Sequence, residues 1–516
     1  MAIWLMTLAL VVALGCVAAE LPADWTPPPS PGRFLTHEPR GPTFKSGQPL
    51  VATSYFYWYD AERGLHIRNP DGSDALTDHP PTLEGFSYRS VAWHRRQLAD
   101  MVEAGIDIVL PVYWGFPGAK GHWSNVGLER LVEARDEMVR SGEKPPATGL
   151  FYDTSTLRHN GRGVHVDLTT EAGRRWFFAT VRDAFSLIPP RHRACIDGKP
   201  VVFLYSAAFA KAVDERLFPE VRRRFRQTFG TDLYIVKKPE WPGQADSVYE
   251  WGGALMPRLL PTASLGPGYD HSAVPGRAPL VRERRGGDFY RWAWEKFLAL
   301  DPAKRASIVH VETWNEFHEG TEVCHSREHG REYIELTRHY ADLFHAGRRI
   351  ERPRTVAAPE VVSVTPAQSE GLELVPQPQG DGPVAVRQVA GRKAFATLPN
   401  RFSQTHRYLY FDVDWRFACD VDEPMVVEVE YYDAGCKEWV LQYDSADPAL
   451  SGIAQRFRTG HRQKVGGTKT WKRVEVRIPH ARFAGRANGC DLRLAAIGGD
   501  LFVSRLAIRR ATTVKR

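Results

Sequence analysis

Three carboxylates and two histidines crowd into residues 310–319, which read His-Val-Glu-Thr-Trp-Asn-Glu-Phe-His-Glu. A β-branched, apolar run precedes this stretch and a long helical pattern follows it, so we expect it where a strand gives way to a loop. Cleavage of a glycosidic bond uses one carboxylic acid to protonate the leaving oxygen and a second carboxylate as base or nucleophile. Glu316 and Glu319, which lie on this stretch, are the candidate catalytic pair.

The acidic residues have a second interpretation, because carboxylates that precede a helix stabilise its N-terminus. That interpretation accounts for Glu322 better than for Glu316, which lies between Trp314 and Phe317. On this basis we assign catalysis to Glu316 and helix stabilisation to Glu322.

Glu312 alternates with His310 and Trp314 along the predicted strand. If that face points into the fold, Glu312 either supports the catalytic pair from behind or is a buried structural carboxylate, and we favour the supporting role. No spacing here matches a His-x-x-x-His or His-Glu-x-x-His helix site, so no metal is expected. The chain also lacks a Gly-x-Ser-x-Gly elbow, a Walker loop and a dinucleotide fingerprint, so no cofactor is expected.

The elements around this stretch alternate between short apolar runs and helical patterns, which indicates β-α units and a parallel sheet. Predicted strands cover residues 50–58, 107–113, 147–152, 200–205, 232–236, 247–251, a weaker one within 254–264, and 307–313. Predicted helices cover residues 88–104, 126–140, 170–187, 214–228, 288–300 and 327–346. This α/β pattern predicts a (β/α)8 TIM barrel over residues 50–350. A doubly wound open sheet is the alternative, but no Gly-rich phosphate loop follows the first strand.

Chemistry in such a barrel takes place at the carboxyl ends of the strands. Nearly every predicted strand end carries an aromatic residue beside a polar or charged one. This favours a carbohydrate cleft, where rings stack on sugar faces, over the alternative of aromatics that merely fill a core. The predicted substrate-binding residues are Tyr57, Trp58, Tyr59, Trp114, Tyr152, Asp153, Tyr205, Glu250, Trp251, Tyr269, Asp270, Trp314, Asn315 and His318.

The alternation of strand and helix patterns ends at residue 350. Residues 351–360 have no periodicity and suit a linker, and residues 361–512 consist of short strands without helices. Predicted strands cover residues 408–413, 425–432, 439–443, 471–478, 492–497 and 501–508. Their alternation predicts a C-terminal all-β sandwich of the carbohydrate-binding-module type. Trp439, Tyr443 and Asp444 are its candidate binding platform, with a purely structural domain as the alternative.

Residues 1–19 are typical of an export signal: an apolar run ends in small residues, with cleavage expected after Ala19. A secreted or periplasmic protein is therefore expected, and Cys16 supplies the less favoured alternative of a lipid anchor. Residues 20–49 are Pro-rich and should form an extended leader. No other segment is apolar enough to cross a bilayer, so stable membrane insertion is not expected.

Composition narrows the function classes. A chain of 516 residues is expected to hold two or more domains. The net charge is +7, but the basic clusters at residues 222–224 and 282–285 have no interleaved aromatics. We interpret them as a solvated helix face or loop, and expect no nucleic-acid partner. The expected partner is an oligo- or polysaccharide, and the oligomeric state stays unknown at this stage.

The segment Trp-Asn-Glu-Phe-His-Glu-Gly-Thr-Glu at residues 314–322 resembles the Trp/Phe-Asn-Glu-Trp-His-Glu-Gly-Thr motif of the glycoside hydrolase family 99 endo-mannosidases. Residues 55–59 resemble the aromatic first-strand motif of that group, and residues 268–270 its seventh-strand turn. The resemblance covers residues 50–346. Overall the chain is similar to uncharacterised secreted bacterial relatives, labelled as a domain of unknown function, that carry an added β-sandwich.

The resemblance implies a retaining, endo-acting α-mannosidase type of glycosidase that needs no metal. Glu316 would be the base that acts on the sugar 2-hydroxyl to give an epoxide-like intermediate, and Glu319 the general acid and then base. Phe317 in place of Trp and the additional Glu312 depart from the family pattern and affect the substrate. The predicted function is a secreted glycoside hydrolase that cleaves α-linked glycans, with α-mannosides as candidate substrates. The alternative is a non-catalytic glycan-binding protein that retains the cleft.

Overall fold

The computed structural model describes residues 19–36, 43–119, 121–276, 280–350, 360–377 and 380–511. The predicted signal, except Ala19, and the predicted linker, except Glu360, lie outside these residues. The chain forms two compact units that divide between Pro353 and Arg354. No helix in the described part of the chain is both long and apolar enough to span a bilayer.

Eight short strands in chain order form the centre of the first unit. They are Leu50–Tyr55, Ile108–Tyr113, Ala147–Thr148 continued by Leu150–Tyr152, Lys199–Leu204, Tyr234–Lys237, Ser247–Val248, Thr262–Leu265 and Ile308–Val311. Neighbours pair in parallel, and the eighth strand pairs in parallel with the first. The first, second and eighth strands are buried along their whole length, as expected for parallel strands covered on both faces.

The ladder is interrupted between the sixth and seventh strands, where the described residues form no backbone pairing. A hydrogen bond of 2.7 Å between the hydroxyls of Ser247 and Thr262 links the two strands instead. The Gly252–Gly253 turn packs directly on the seventh strand, because a Cβ at Gly253 would lie 2.5 Å from the carbonyl carbon of Ser264. The predicted barrel is thus confirmed in part: the parallel order is present, and a closed ladder is not.

Six helices accompany the strands, at Val91–Glu103, Trp123–Arg140, Glu171–Leu187, Leu217–Phe229, Asp288–Leu298 and Glu332–His345. The first helix begins where the Ser90 side chain accepts a hydrogen bond from the Trp93 backbone N–H, a normal N-cap. No helix lies in residues 238–246 or 249–261, both fully described, in keeping with the lack of helical pattern there.

The Pro-rich leader lies along the third helix. The Trp25 ring is 5.3 Å from that of Trp176, and Arg182 donates a 2.8 Å hydrogen bond to the Pro28 carbonyl. Arg193 donates to the Phe34 carbonyl at 2.6 Å. Side-chain donors of the first unit therefore bind the extended leader through its carbonyl groups.

The described part of the second unit contains two antiparallel sheets, one of seven strands and one of five, and one short helix at Gly452–Arg456, which the sequence pattern did not predict. Its strands are Val361–Thr365, Gln368–Glu370, Leu372–Leu374, Val384–Val389, Arg392–Thr397, His406–Val413, Glu423–Tyr432, Glu438–Tyr443, Arg458–Lys464, Trp471–Ala481, Leu492–Ile497 and Phe502–Arg510. Val427 and Val429 from one sheet and Leu409 and Leu494 from the other share one apolar core. This sheet-rich region has the two-layer arrangement that the alternating pattern predicts.

The predicted binding platform of this unit is wrong. Trp439 and Tyr443 are 0% exposed and belong to the core between the sheets. Asp444 is also buried, and its Oδ1 atom accepts a 2.6 Å hydrogen bond from Arg486. Alternation along the strand directs Trp439 and Tyr443 inward, so they stabilise the fold and do not form a surface.

Candidate active site

The loop after the eighth strand is closed on itself. The Thr313 N–H donates to the Thr321 carbonyl at 2.9 Å, and the Val323 N–H donates to the Thr313 carbonyl at 3.0 Å. The Thr313 hydroxyl accepts from the Glu316 N–H at 2.8 Å. These bonds give Glu316 and Glu319 a compact, ordered frame.

Asn315 ties this loop to the end of the first strand. Its Nδ2 donates to the Phe56 carbonyl at 2.7 Å, and its Oδ1 accepts from the Phe56 N–H at 2.8 Å. The Tyr59 hydroxyl donates to the Asn315 carbonyl at 3.0 Å. The aromatic segment after the first strand and the carboxylate loop after the eighth therefore form one assembly.

Glu316 is 1% exposed, and its two carboxylate oxygens differ. Oε1 accepts hydrogen bonds from the His318 backbone N–H at 3.1 Å and pairs with His318 Nδ1 at 2.8 Å. Oε2 has no hydrogen-bond partner within the described residues. Burial, followed by the charge of Glu316, raises the pKa of Tyr59 well above its usual value, so the phenol remains a donor. The arrangement holds one oxygen and leaves the other available as a proton acceptor.

A stack of rings lies beside Glu316. Trp58 is parallel to His66, with ring centroids 4.4 Å apart, and to Trp114, with centroids 4.7 Å apart. The His318 ring meets Trp58 edge-on at 5.3 Å. Burial lowers the pKa of His66 to about 3, so this ring is neutral over the physiological range. His66 had no local sequence signal, since its position depends on the long connection after the first strand.

Glu319 is 2% exposed and lies where the loop meets the turn after the seventh strand. Its carbonyl accepts a 2.9 Å hydrogen bond from the Asp270 N–H. The neighbouring Tyr269 hydroxyl pairs with His271 Nδ1 at 2.9 Å. Gly320 follows with φ +51°, and a Cβ there would lie 3.3 Å from Asp78 Oδ2. Tyr269 and Asp270 thus come next to the loop of Glu319.

Glu312 lies deeper, on the side of the sixth strand. Its Oε2 accepts 2.8 Å hydrogen bonds from the N–H groups of Gly252 and Gly253. Its Oε1 lies 3.6 Å from Nδ1 of His310, whose ring is 5.4 Å from that of Phe203. The geometry suits a supporting carboxylate, which stays a prediction.

Trp314 does not share a face with Glu312 and His310, contrary to the alternation expected from the sequence. Its Nε1 donates to Gln97 of the first helix at 2.7 Å, whereas His310 lies among Phe151 and Phe203 of the third and fourth strands. The chain has left regular strand geometry by this point, since the eighth strand ends at Val311.

Five of the predicted substrate-binding residues have a scaffolding role and no accessible surface. Tyr57 donates to the Ser124 carbonyl at 3.0 Å, and the Tyr152 hydroxyl accepts from Thr156 at 3.5 Å. The Tyr59 hydroxyl accepts from the Phe317 N–H and donates to the Asn315 carbonyl. Trp314 Nε1 donates to Gln97, and the Asn315 side chain donates to the Phe56 carbonyl. All five side chains are buried.

A second aromatic group surrounds Trp251. Its ring lies 5.7 Å from that of Tyr205 and 5.5 Å from that of Phe151. Glu250 beside it is exposed. Burial raises the pKa of Asp153, whose carboxylate accepts a 2.9 Å hydrogen bond from the Ser155 N–H. These residues lie at the ends of the third, fourth and sixth strands.

A charged cluster, in which Glu322 is buried and its two neighbours are partly buried, lies next to the loop after the eighth strand. Asp78, Glu322 and His329 each bring one potential metal-ligand atom within 4.8 Å of the others. The Arg284 guanidinium bonds both carboxylates, at 3.1 Å to Asp78 and 2.7 Å to Glu322. The cluster therefore contains a cation of the chain itself.

The predictions of a solvated role for Arg284 and of a helix-stabilising role for Glu322 are both wrong. Arg284 is 9% exposed and belongs to no solvated patch. Glu322 stabilises no helix N-terminus, because the last helix begins only at Glu332.

Two cavities, of about 730 Å³ and 780 Å³, lie away from Glu316 and Glu319. The first is bounded by the leader at Arg33 and the second helix at Glu133, and the second lies near Pro49 and Ser307, where strands begin. The candidate site therefore rests on its chemistry and not on cavity size.

Comparison with solved structures finds partial similarity. The GH99 endo-alpha-mannosidase from Bacteroides thetaiotaomicron has 14% identity and a TM-score of 0.42, over 59% of this chain and 99% of that one. A glycoside hydrolase-like protein has 16% identity and a TM-score of 0.43, over 61% and 96% of the two chains. The C-terminal CBM6 of a marine laminarinase from Zobellia galactanivorans has 9% identity and a TM-score of 0.18, over 29% and 99%.

No curated protein matches the chain in sequence. A family model does: the one described as "Domain of unknown function (DUF5010)" matches residues 46–355, more than half of the sequence. This match contains all eight strands and the carboxylate loop. The chain belongs to the DUF5010 family.

Proposed function

We propose that this protein is a glycoside hydrolase that acts on α-linked glycans, with a (β/α)8-type barrel whose carboxylate loop follows the eighth strand. The observation that carries the proposal is the state of Glu316. One oxygen is held by the backbone N–H and the ring Nδ1 of His318, the other has no partner among the described residues, and stacked rings lie beside it. A base needs an oriented carboxyl group with one oxygen open to a proton, and a sugar ring needs an apolar face to stack on.

The proposed steps follow the mechanism implied by the family 99 resemblance. Glu316 takes the proton of the sugar 2-hydroxyl as that oxygen attacks the anomeric carbon. Glu319 gives its proton to the leaving oxygen as the glycosidic bond breaks. Glu319 then takes a proton from water, which opens the epoxide-like intermediate at the anomeric carbon, while Glu316 returns its proton to the 2-oxygen. The result is retention, and every proton is carried by one of these two carboxylates.

The surroundings fit these roles. The backbone N–H and the ring Nδ1 of His318 both contact Oε1 and so fix the orientation of the Glu316 carboxyl group. Glu319 is buried and its main chain is bonded to the seventh-strand turn, which restricts its position. Trp114 is the proposed stacking residue, whereas Trp58 already has two rings stacked on it and orders the group. We further propose export through residues 1–19.

The low exposure of both carboxylates favours one alternative, a glycan-binding protein without turnover. Glu316 and Glu319 are 1% and 2% exposed, and neither lines the two cavities named above. In this alternative the two buried carboxylates only order the loop, and a glycan binds to the aromatic residues beside it.

A panel of α-linked oligosaccharides, including α-mannosides, distinguishes the two functions. The hydrolase proposal expects wild-type protein to release sugar, and Glu316→Gln and Glu319→Gln each to lower the rate by at least about 10²-fold. Glu335→Gln, on the exposed side of the last helix, is the matched control and should keep full activity. Binding of a panel glycan without release by any of the four proteins would establish the alternative instead.

A further inference from the structure

The geometry points to Arg284 as a positioning residue that holds the loop of Glu316 and Glu319 in place. Its catalytic consequence rests on the proposed function, whereas its effect on the loop does not. The residue lies far from the loop in sequence and was not among the candidate site residues.

Arg284 binds the loop through its main chain. One guanidinium nitrogen donates to the Gly320 carbonyl at 3.0 Å, and the other to the Glu322 carbonyl at 2.9 Å. Gly320 directly follows Glu319. A planar fork with fixed donor directions can hold two carbonyls at once, which the single ammonium of lysine does less well.

The guanidinium is itself held from three sides. It bonds Glu322 Oε2 at 2.7 Å and Asp78 Oδ2 at 3.1 Å, and it lies 4.6 Å from the centre of the Tyr333 ring. Because Arg284 is almost fully buried, it has little freedom to follow a displaced loop. The loop position is therefore coupled to an immobile cation.

The segment next to Asp78 makes a second contact with the loop, through Thr77. The Thr77 N–H donates to the Phe317 carbonyl at 2.9 Å, and its hydroxyl donates to the His318 carbonyl at 2.9 Å. Asp78, the next residue, is the partner of Arg284. The segment around Thr77 thus holds the loop at Phe317 and His318, and Arg284 holds it at Gly320 and Glu322, on either side of Glu319.

The acidic residues around position 284 explain why a positively charged side chain is stable there. The guanidinium faces the carboxylate of Asp78 and the carboxyl of Glu322, and His329 Nε2 lies 3.4 Å from Asp78. An uncompensated buried charge would be costly, so removal of the cation leaves an acidic group buried without its partner. Arg284→Met therefore perturbs the fold more than Arg284→Lys, which retains the charge but loses the fork.

Hydrogen exchange on the full chain tests the positioning role without substrate. Peptides that contain the amides of Thr313, Thr321 and Val323 report on the closed loop. We expect at least about tenfold faster exchange of these amides in Arg284→Lys, with unchanged exchange in the second unit. Arg338→Met, an exposed arginine on the last helix, is the control and should exchange like wild type. Asp78→Asn removes a partner of the guanidinium and tests the same loosening if Arg284→Lys fails to fold.

Enzyme kinetics distinguish a positioning role from a purely structural one, because only a positioning role predicts a specific fall in kcat. On a hydrolysed glycan, Arg284→Lys should lower kcat by about 10²-fold with a smaller change in KM, because a displaced carboxylate acts on bound substrate. Wild-type loop exchange in both Arg284→Lys and Asp78→Asn overturns the positioning role. Faster loop exchange together with no hydrolysis by wild type supports the positioning role and overturns only the proposed function.

Discussion

His318 and Glu316 form a two-point contact within one short loop: the backbone N–H and the ring Nδ1 of His318 both reach Oε1 of Glu316, at 3.1 Å and 2.8 Å. The ring that makes this contact is stacked 5.6 Å from Tyr59 at an interplanar angle of 15°. The imidazole therefore has a fixed orientation, and it connects the candidate base to the aromatic residues after the first strand.

Removal of the His318 ring should lower activity more than stability. We expect His318→Ala to reduce kcat/KM by about 10- to 10²-fold, because one donor to the candidate base is lost. His318→Asn, whose amide can replace Nδ1 as a donor, should recover part of the loss. Steady-state kinetics on the hydrolysed glycan measure both effects. His339→Ala, exposed on the last helix, is the control. Equal activity in His318→Ala and wild type would contradict a role for this contact.

Asn315 should matter chiefly for stability. Asn315→Ala leaves the Phe56 N–H and carbonyl buried without their partners, at a cost of about 2–4 kcal/mol in the free energy of unfolding. Urea denaturation followed by tryptophan fluorescence measures the change. Gln227→Ala, on the exposed face of the fourth helix, should cost less than about 0.5 kcal/mol. A similar small loss for both variants would disprove the anchoring role of Asn315.

Glu322 should make the first unit less stable as the pH rises. Burial raises the pKa of this carboxyl to about 8 from its ordinary value of 4.5, so the folded chain keeps a proton that the unfolded chain releases. This contribution to stability is fully present below pH 4.5 and is lost progressively as the pH rises to about 8. Glu322→Gln cannot ionise and should show a shallower fall over that range.

The measurement is urea unfolding at several pH values for wild type, Glu322→Gln and the control Glu335→Gln. Glu335 is exposed, so its variant should follow wild type. Parallel pH profiles for all three proteins would show that Glu322 titrates normally.

Trp114 should contribute to glycan affinity. It is stacked on Trp58 and is the more exposed of the two rings, at 9% against 3%, so Trp114→Ala in an inactive Glu319→Gln background should weaken binding by about tenfold or more. Titration calorimetry with a panel glycan gives the dissociation constant. Trp471→Ala, in the second unit, should leave affinity at the barrel unchanged. A larger loss for Trp471→Ala would instead place glycan binding in the sheet-rich unit.

Local patterns predicted most of the elements. All six predicted helices and all eight predicted strands of the first unit occur near their expected positions, because apolar periodicity reports directly on which faces are buried. Two-residue strands such as Cys195–Ile196 and Val281–Arg282 were missed, since they are too short to show a periodicity. In the second unit all six predicted strands occur, but strands such as Val384–Val389 and Arg458–Lys464 were missed. Their many exposed polar residues hide the alternation.

The burial of individual side chains was harder to predict than the helices and strands that carry them. Trp439 and Tyr443 are residue types that often form a carbohydrate-binding surface, yet both point into the apolar core between the two sheets. Arg284 lies in a run of basic residues that is typical of a surface patch, yet four acceptor atoms and an aromatic ring surround its guanidinium. Amino-acid type alone leaves both cases undecided, since burial depends on which element packs against the residue.

The sequence by itself determined the order of strands and helices, the two-part organisation and the carboxylate loop, because each is encoded in contiguous residues. Only the tertiary structure decided which oxygen of Glu316 contacts His318, which rings stack beside it, and that the Asn315 side chain hydrogen-bonds the backbone of Phe56. It also decided that Arg284 binds the loop. These contacts join residues far apart in the chain, and their distances follow from how the strands and connections pack, which local spacing does not specify.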